Sequence, residues 1–155
     1  MRLISIVVAA SLGLAAAGPS LADGASSKAM KAKTPDAVFE RDEPAQASMA
    51  LTREGAVWRV AFRAGGVPNG AATAADCELQ AVGPQDADGV IAARLAPFEG
   101  ELNAITAADI GANPPVIQVR VGPEGVFVED GGAAARFCGL GSDIDGFYRR
   151  MGDFD

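Results

Sequence analysis

The sequence predicts an all-β protein: a single antiparallel sandwich or small barrel of about seven or eight strands, with one disulfide. Three observations predict it. Short stretches of alternating apolar and polar residues recur between Gly- and Pro-rich turns from Gln46 to Arg150. Helical periodicity is marginal throughout, and no internal repeat is visible. Two cysteines, Cys77 and Cys138, follow a leader of the export type. The chain has 155 residues, too few for two ordinary domains, and its 49% hydrophobic content is enough for a core.

The first segment reads as a secretory signal peptide, residues 1–22. Met1 and Arg2 give a positive start, and an apolar run follows from Leu3 to Ala17. Gly18 and Pro19 end it, and Ser20-Leu21-Ala22 offers small residues at −3 and −1 of a cleavage site. The run is about 15 residues, whereas a membrane span needs about 20. The mature protein is therefore expected in the periplasm or secreted, without membrane insertion. Residues 23–37 are small and polar and read as a flexible linker. Residues 38–155 form the single β domain.

Within that domain, residues 46–52 place Ala47, Met49 and Leu51 on one face. Arg53-Glu54-Gly55 turns the chain, and residues 57–63 place Trp58, Val60 and Phe62 one way with Arg59 and Arg63 the other. This is a hairpin pattern. Residues 64–75 read as a loop. Residues 76–82 put Cys77, Leu79 and Ala81 on one face, and residues 89–95 give another apolar run across a turn at 83–89. Thr106 to Ile110 suits one helical turn, with Thr106 as N-cap and Asp109 three positions later. Residues 116–121 and 125–129 form the strongest hairpin, around Gly122-Pro123-Glu124-Gly125. Asp130-Gly131-Gly132 then leads into residues 133–138, counted as a strand, and residues 146–150 supply the last one.

Export makes a Cys77–Cys138 disulfide the default expectation. The pair lacks C-x-x-C spacing and the chain has no His, so a reactive thiol pair is poorly supported. The absence of His also excludes a Ser-His-Asp triad, a Cys-His dyad and His-ligated metal, and two cysteines cannot build a four-Cys zinc site. No cofactor or metal is expected.

The formal charge is −7, from 13 Lys and Arg against 20 Asp and Glu. All three lysines lie in the linker, so from Val38 onward nine Arg face 18 Asp and Glu, a charge of −9. Such a surface repels phosphate backbones and disfavours nucleic acid. It favours a basic protein or a cation, although solubility alone also explains it. Asp86 with Asp88, and Glu99 with Glu101, are close acidic pairs of the type a glycosidase needs across a cleft. Both flank Gly and Pro and read as exposed loops, so no catalytic residue is assigned and the protein is not expected to be an enzyme. Asp143 and Asp145 lack the closing Glu of a calcium loop.

The most distinctive segment is Phe137-Cys138-Gly139-Leu140-Gly141-Ser142-Asp143-Ile144-Asp145-Gly146-Phe147-Tyr148-Arg149-Arg150. It resembles the tail of small exported bacterial domains, among them periplasmic lysozyme inhibitors, in which Cys-Gly precedes a Ser-Gly-x-Tyr loop. Gly146 and Tyr148 match that loop, and Asp145 stands where the family has Ser. The resemblance covers about 14 residues. It implies a partner-binding loop at Asp143, Asp145, Gly146 and Tyr148, plugging the cleft of a basic cell-wall hydrolase such as lysozyme. The alternative is a structural or envelope-associated accessory domain in which Phe147 and Tyr148 merely pack the last strand.

Overall fold

A computed structural model describes residues 35–65, 76–138 and 141–152. The signal segment, nearly all of the linker and most of the loop at 64–75 lie outside the described residues. The strands are β1 (Ala37–Arg41), β2 (Ala47–Glu54), β3 (Val57–Ala64), β4 (Cys77–Gly83), β5 (Val90–Leu95), β6 (Phe98–Glu99), β7 (Ala104–Ile105), β8 (Val116–Val121), β9 (Gly125–Glu129) and β10 (Gly146–Arg150). Two short helices interrupt them, α1 (Ala107–Ile110) and α2 (Ala133–Phe137).

Eight strands close into an antiparallel barrel in the order β1-β10-β9-β8-β5-β4-β3-β2. Nearly every neighbour in space is the next strand in sequence, so the barrel is of the up-and-down type. Closure removes the free sheet edges that would otherwise invite pairing with other chains. The closing pair is β1 with β10, in register Phe39↔Arg150 and Glu40↔Arg149.

The period-two pattern decides what lies inside. Met49 and Leu51 of β2, Val60 and Phe62 of β3, Leu79 of β4, Ile91 of β5, Ile117 and Val119 of β8, and Val126 and Val128 of β9 are all buried. With Phe39 and Tyr148 they fill the interior, which is a packed core rather than a ligand chamber.

Two glycines permit the close approach of strands. A Cβ at Gly83 would overlap the Ala92 carbonyl across the β4–β5 boundary. One at Gly125 would overlap the Tyr148 carbonyl on β10. The β4–β5 pairing itself is brief, spanning Ala81↔Leu95 and Val82↔Arg94. Where β5 diverges, the Asn103 side chain takes its place. Its Oδ1 accepts from the Glu78 N–H at 2.8 Å and its Nδ2 donates to the Glu78 carbonyl at 3.1 Å. The amide thus satisfies a backbone pair that would otherwise be orphaned, and it docks the β6–β7 excursion on β4.

The α1 turn forms as predicted. Thr106 Oγ1 accepts from the Asp109 N–H, and the Asp109 carboxylate accepts from the Thr106 N–H, a complete capping box. The Thr106 hydroxyl also donates to the Asp109 carboxylate at 2.6 Å, and this bond first, then that from the Thr106 N–H, holds the exposed Asp109 carboxyl below the usual aspartate range.

Residues 133–138 differ from the expectation of a strand. Residues 133–137 form α2, because the buried Asp130 carboxylate accepts from the Gly132 and Ala134 N–H groups at 2.7 Å each and satisfies the free donors of a helix start. The eighth barrel strand is β1, whose first residue, Ala37, closes the segment read as linker.

Cys138 directly follows α2 and is bonded to Cys77 at the start of β4, with 5.4 Å between Cα atoms. Cys77 is in a strand, as its apolar surroundings suggested; Cys138 is not. The bridge ties α2 to the barrel and closes a loop worth about 4 kcal/mol of unfolded-state entropy on the chain-entropy model.

Candidate functional site

The loop singled out in the sequence, Asp143 to Tyr148, is built around a buried arginine. Arg41 ends β1 on the inward face, and its side chain is only 4% exposed. Its Nη2 donates to the Asp143 carbonyl at 2.6 Å, its Nη1 to the Asp145 carbonyl, and its Nε to the Ala45 carbonyl at 3.3 Å. The Asp143 carboxylate lies 3.9 Å from Nη1. The guanidinium also stands over the Tyr148 ring, 5.2 Å from its centroid. Arg41 therefore laces the β1–β2 turn to the loop that leads into β10.

The acidic residues of that loop are used internally. Asp143 Oδ1 accepts from the Asp145 N–H at 2.7 Å, an Asx turn. Asp145 Oδ1 accepts from the Asp130 N–H at 2.5 Å, and Asp130 in turn caps α2. Desolvation is the main cause that raises the Asp145 carboxyl above the usual aspartate range. The bond from the Asp130 N–H opposes it, and the negative charges of Asp130, Asp143 and Glu129 add to it. Gly146 adopts φ +117, a backbone region that favours glycine, beside the Arg41 side chain.

Tyr148 is fully buried. Its hydroxyl donates to the Ile144 carbonyl at 2.8 Å, and its ring meets Phe62 edge-on at 6.3 Å between centroids. Burial pushes the hydroxyl well above the usual tyrosine range, against the opposing Arg41 charge. The reading of Tyr148 as a residue inserted into a partner is thus corrected: its side chain is core, and reaching a partner would mean emptying the barrel at that point. Strand parity alone leaves the orientation open, because Arg149 shares a face with Phe147 and Arg150 shares one with Tyr148.

Phe147 is the exposed aromatic of this segment, at 50%, directly opposite Phe127 of β9 at 47%. Phe147 also lies over Gly125, close to where a Cβ there would sit, and so covers that bare stretch of strand. Arg120 of β8 stands opposite Phe127 on its other side. Met151, one alternation beyond Arg149 and 38% exposed, extends the apolar line.

Beside Phe147 the β1–β2 turn leaves a surface groove of about 350 Å³, lined by Glu40, Arg41, Asp42, Glu43, Phe147 and Arg149. Arg41 closes its floor. Glu40 and Arg149 are cross-strand neighbours at its wall.

The remaining acidic pairs do not converge on a cleft. Asp86 Oδ1 accepts from the Asp88 and Val90 N–H groups within the β4–β5 turn. Glu101 instead pairs with Arg63 at 3.4 Å, while its N–H donates to the Glu78 carboxylate, which lies 3.8 Å from the same arginine. Among the described residues no group of three or more Asp, Glu or Cys side chains is placed to hold a metal ion.

Comparison of the chain with protein-family models, with curated proteins and with solved structures gives no match.

Proposed function

We propose that the chain is an exported, non-catalytic binding domain whose partner is a basic protein, and that a cell-wall hydrolase such as lysozyme is the leading candidate. The observation that carries this reading is a filled barrel with an acidic exterior. Side chains occupy the interior, which leaves recognition to the outer surface. That surface belongs to a domain with a charge of −9 from Val38 onward. Complementary potential accelerates encounter and selects partners of opposite sign. The Cys77–Cys138 bridge suits an oxidising compartment, in keeping with the periplasm or secretion.

The mechanism differs in one respect from the family that the C-terminal segment resembles. Tyr148 and the Asp143–Asp145 turn serve the fold, so contact falls to residues outside that turn.

The internal use of these residues also favours a second reading, an envelope-associated accessory domain without inhibitory activity. Calorimetric titration of the mature domain into a c-type lysozyme at low and moderate salt separates the two. The binding reading expects a complex whose affinity falls with salt; the accessory reading expects no heat at either salt.

A further inference from the structure

We infer that the groove between the β1–β2 turn and β10 is a docking site for a lysine- or arginine-bearing segment of a basic partner, with Phe147 as its aromatic wall. The inference rests on the binding reading above and gives it a place on the molecule.

The charges in this groove are open. The side chains of Glu40, Asp42, Glu43 and Arg149 are exposed, and none has a hydrogen bond or ion pair among the described residues. Several carboxylates elsewhere are engaged, Glu54 with Arg59 at 2.7 Å, Glu78 and Glu101 with Arg63, Asp130 with α2; open ones such as Asp88 and Glu124 lie apart from this groove and its ring. The mouth holds three carboxylates against the single Arg149. Arg41 beneath them is turned to backbone carbonyls and Asp143. The surplus is negative, which fits a cation and disfavours an anion or a second copy of this acidic chain.

The aromatic wall points the same way. Three rings of the domain already carry a guanidinium: Tyr148 with Arg41, Trp58 with Arg53 and Phe137 with Arg136, at 4.7–5.6 Å. Phe147 carries none among the described residues, although it is half exposed and adjoins open carboxylates. An incoming guanidinium or ammonium could lie on its face while the carboxylates accept hydrogen bonds. Phe127 and Met151 extend the apolar surface on which the stem of such a side chain would rest.

The test is a heteronuclear NMR titration of the labelled mature domain with acetylated tetra-arginine amide at moderate salt. Amide shifts should centre on Glu40, Asp42, Glu43 and Phe147. The triple variant Glu40→Gln, Asp42→Asn, Glu43→Gln should lose about tenfold or more in affinity. Phe147→Leu retains the apolar cover on Gly125 but removes the ring face, and should lose about two- to fivefold. The exposed Asp88→Asn should change little, and matching spectra of the free variants will establish that each is folded. Shifts centred elsewhere, or a triple variant that binds as Asp88→Asn does, overturn the inference. A lysozyme complex formed with equal affinity by the triple variant also overturns it but leaves the binding reading intact. Groove-centred shifts with no lysozyme complex support the groove and count against the lysozyme reading alone.

Discussion

Arg41 and Tyr148 meet inside the barrel wall, the guanidinium 5.2 Å from the ring centroid, and each donates to carbonyls of the same loop. Tyr148 binds the Ile144 carbonyl, and Arg41 binds those of Asp143 and Asp145. The two side chains thereby fix the carbonyls of three successive residues just before the strand that closes the barrel. Replacing Arg41 with Met strands those carbonyls in a site with little water. The expected cost is about 2–4 kcal/mol, read as a fall in the denaturation midpoint. Tyr148→Phe removes one hydrogen bond and keeps the packing, at about 1 kcal/mol. Neither the groove nor its affinity for a basic peptide should change in Tyr148→Phe, which distinguishes a core tyrosine from a contact tyrosine.

The disulfide should matter as much as any part of the core. Reduction, or the paired change Cys77→Ser and Cys138→Ser, removes about 4 kcal/mol on the chain-entropy model. For a domain of this size that corresponds to a thermal midpoint lower by roughly 10–20 °C, measurable by circular dichroism. The loss should be felt first at α2, a five-residue helix held by the bridge and by Asp130.

Asp145 gives a pH prediction with a definite sign. Its carboxyl is raised in the folded state, mainly by desolvation. A raised acid binds more protons folded than unfolded, so its own contribution to stability falls as pH rises through the carboxylate range. At neutral pH its charge opposes folding beside Asp130, Asp143 and Glu129. Asp145→Asn retains an oxygen to accept from the Asp130 N–H and removes that charge. The variant should be as stable as the wild type or slightly more so at pH 7. The difference should vanish as pH falls below the carboxylate range. Thermal midpoints measured from pH 3 to pH 7 will check this, and a variant markedly less stable at pH 7 would show that the carboxylate is favourable there.

Much of the fold was legible because strand alternation is a local signal. The β2–β3 and β8–β9 hairpins and β10 follow directly from residues such as Met49, Phe62, Val119 and Val128 recurring at period two. The Thr106–Asp109 box announced α1 in the same local way. What stayed hidden depends on distant partners. β1 carries an arginine at an inward position, and only the carbonyls of residues about a hundred positions away make Arg41 acceptable there. The α2 helix follows two glycines and has little propensity to recommend it; the Asp130 carboxylate and the bridge to Cys77 hold it. The choice between sandwich and barrel turned on the β1–β10 pairing, which no local pattern announces. In the candidate site, alternation located β10 but could not orient it, since Arg149 and Arg150 fall on opposite faces; Tyr148 turns inward through its distant partners Arg41 and Phe62. The groove was not legible at all. It joins residues 40–43 to Phe147 and Arg149 through barrel closure.

The most direct test of a basic partner is cell-wall lysis by c-, g- and i-type lysozymes in the presence of the mature domain, at low and moderate salt. Tyr148→Phe and the Glu40→Gln, Asp42→Asn, Glu43→Gln variant should be measured alongside. The account predicts inhibition of at least one type, weakened by salt, retained in Tyr148→Phe and reduced about tenfold or more in the triple variant. Undiminished lysis by all three types at both salts would contradict the account's choice of lysozyme as the basic partner.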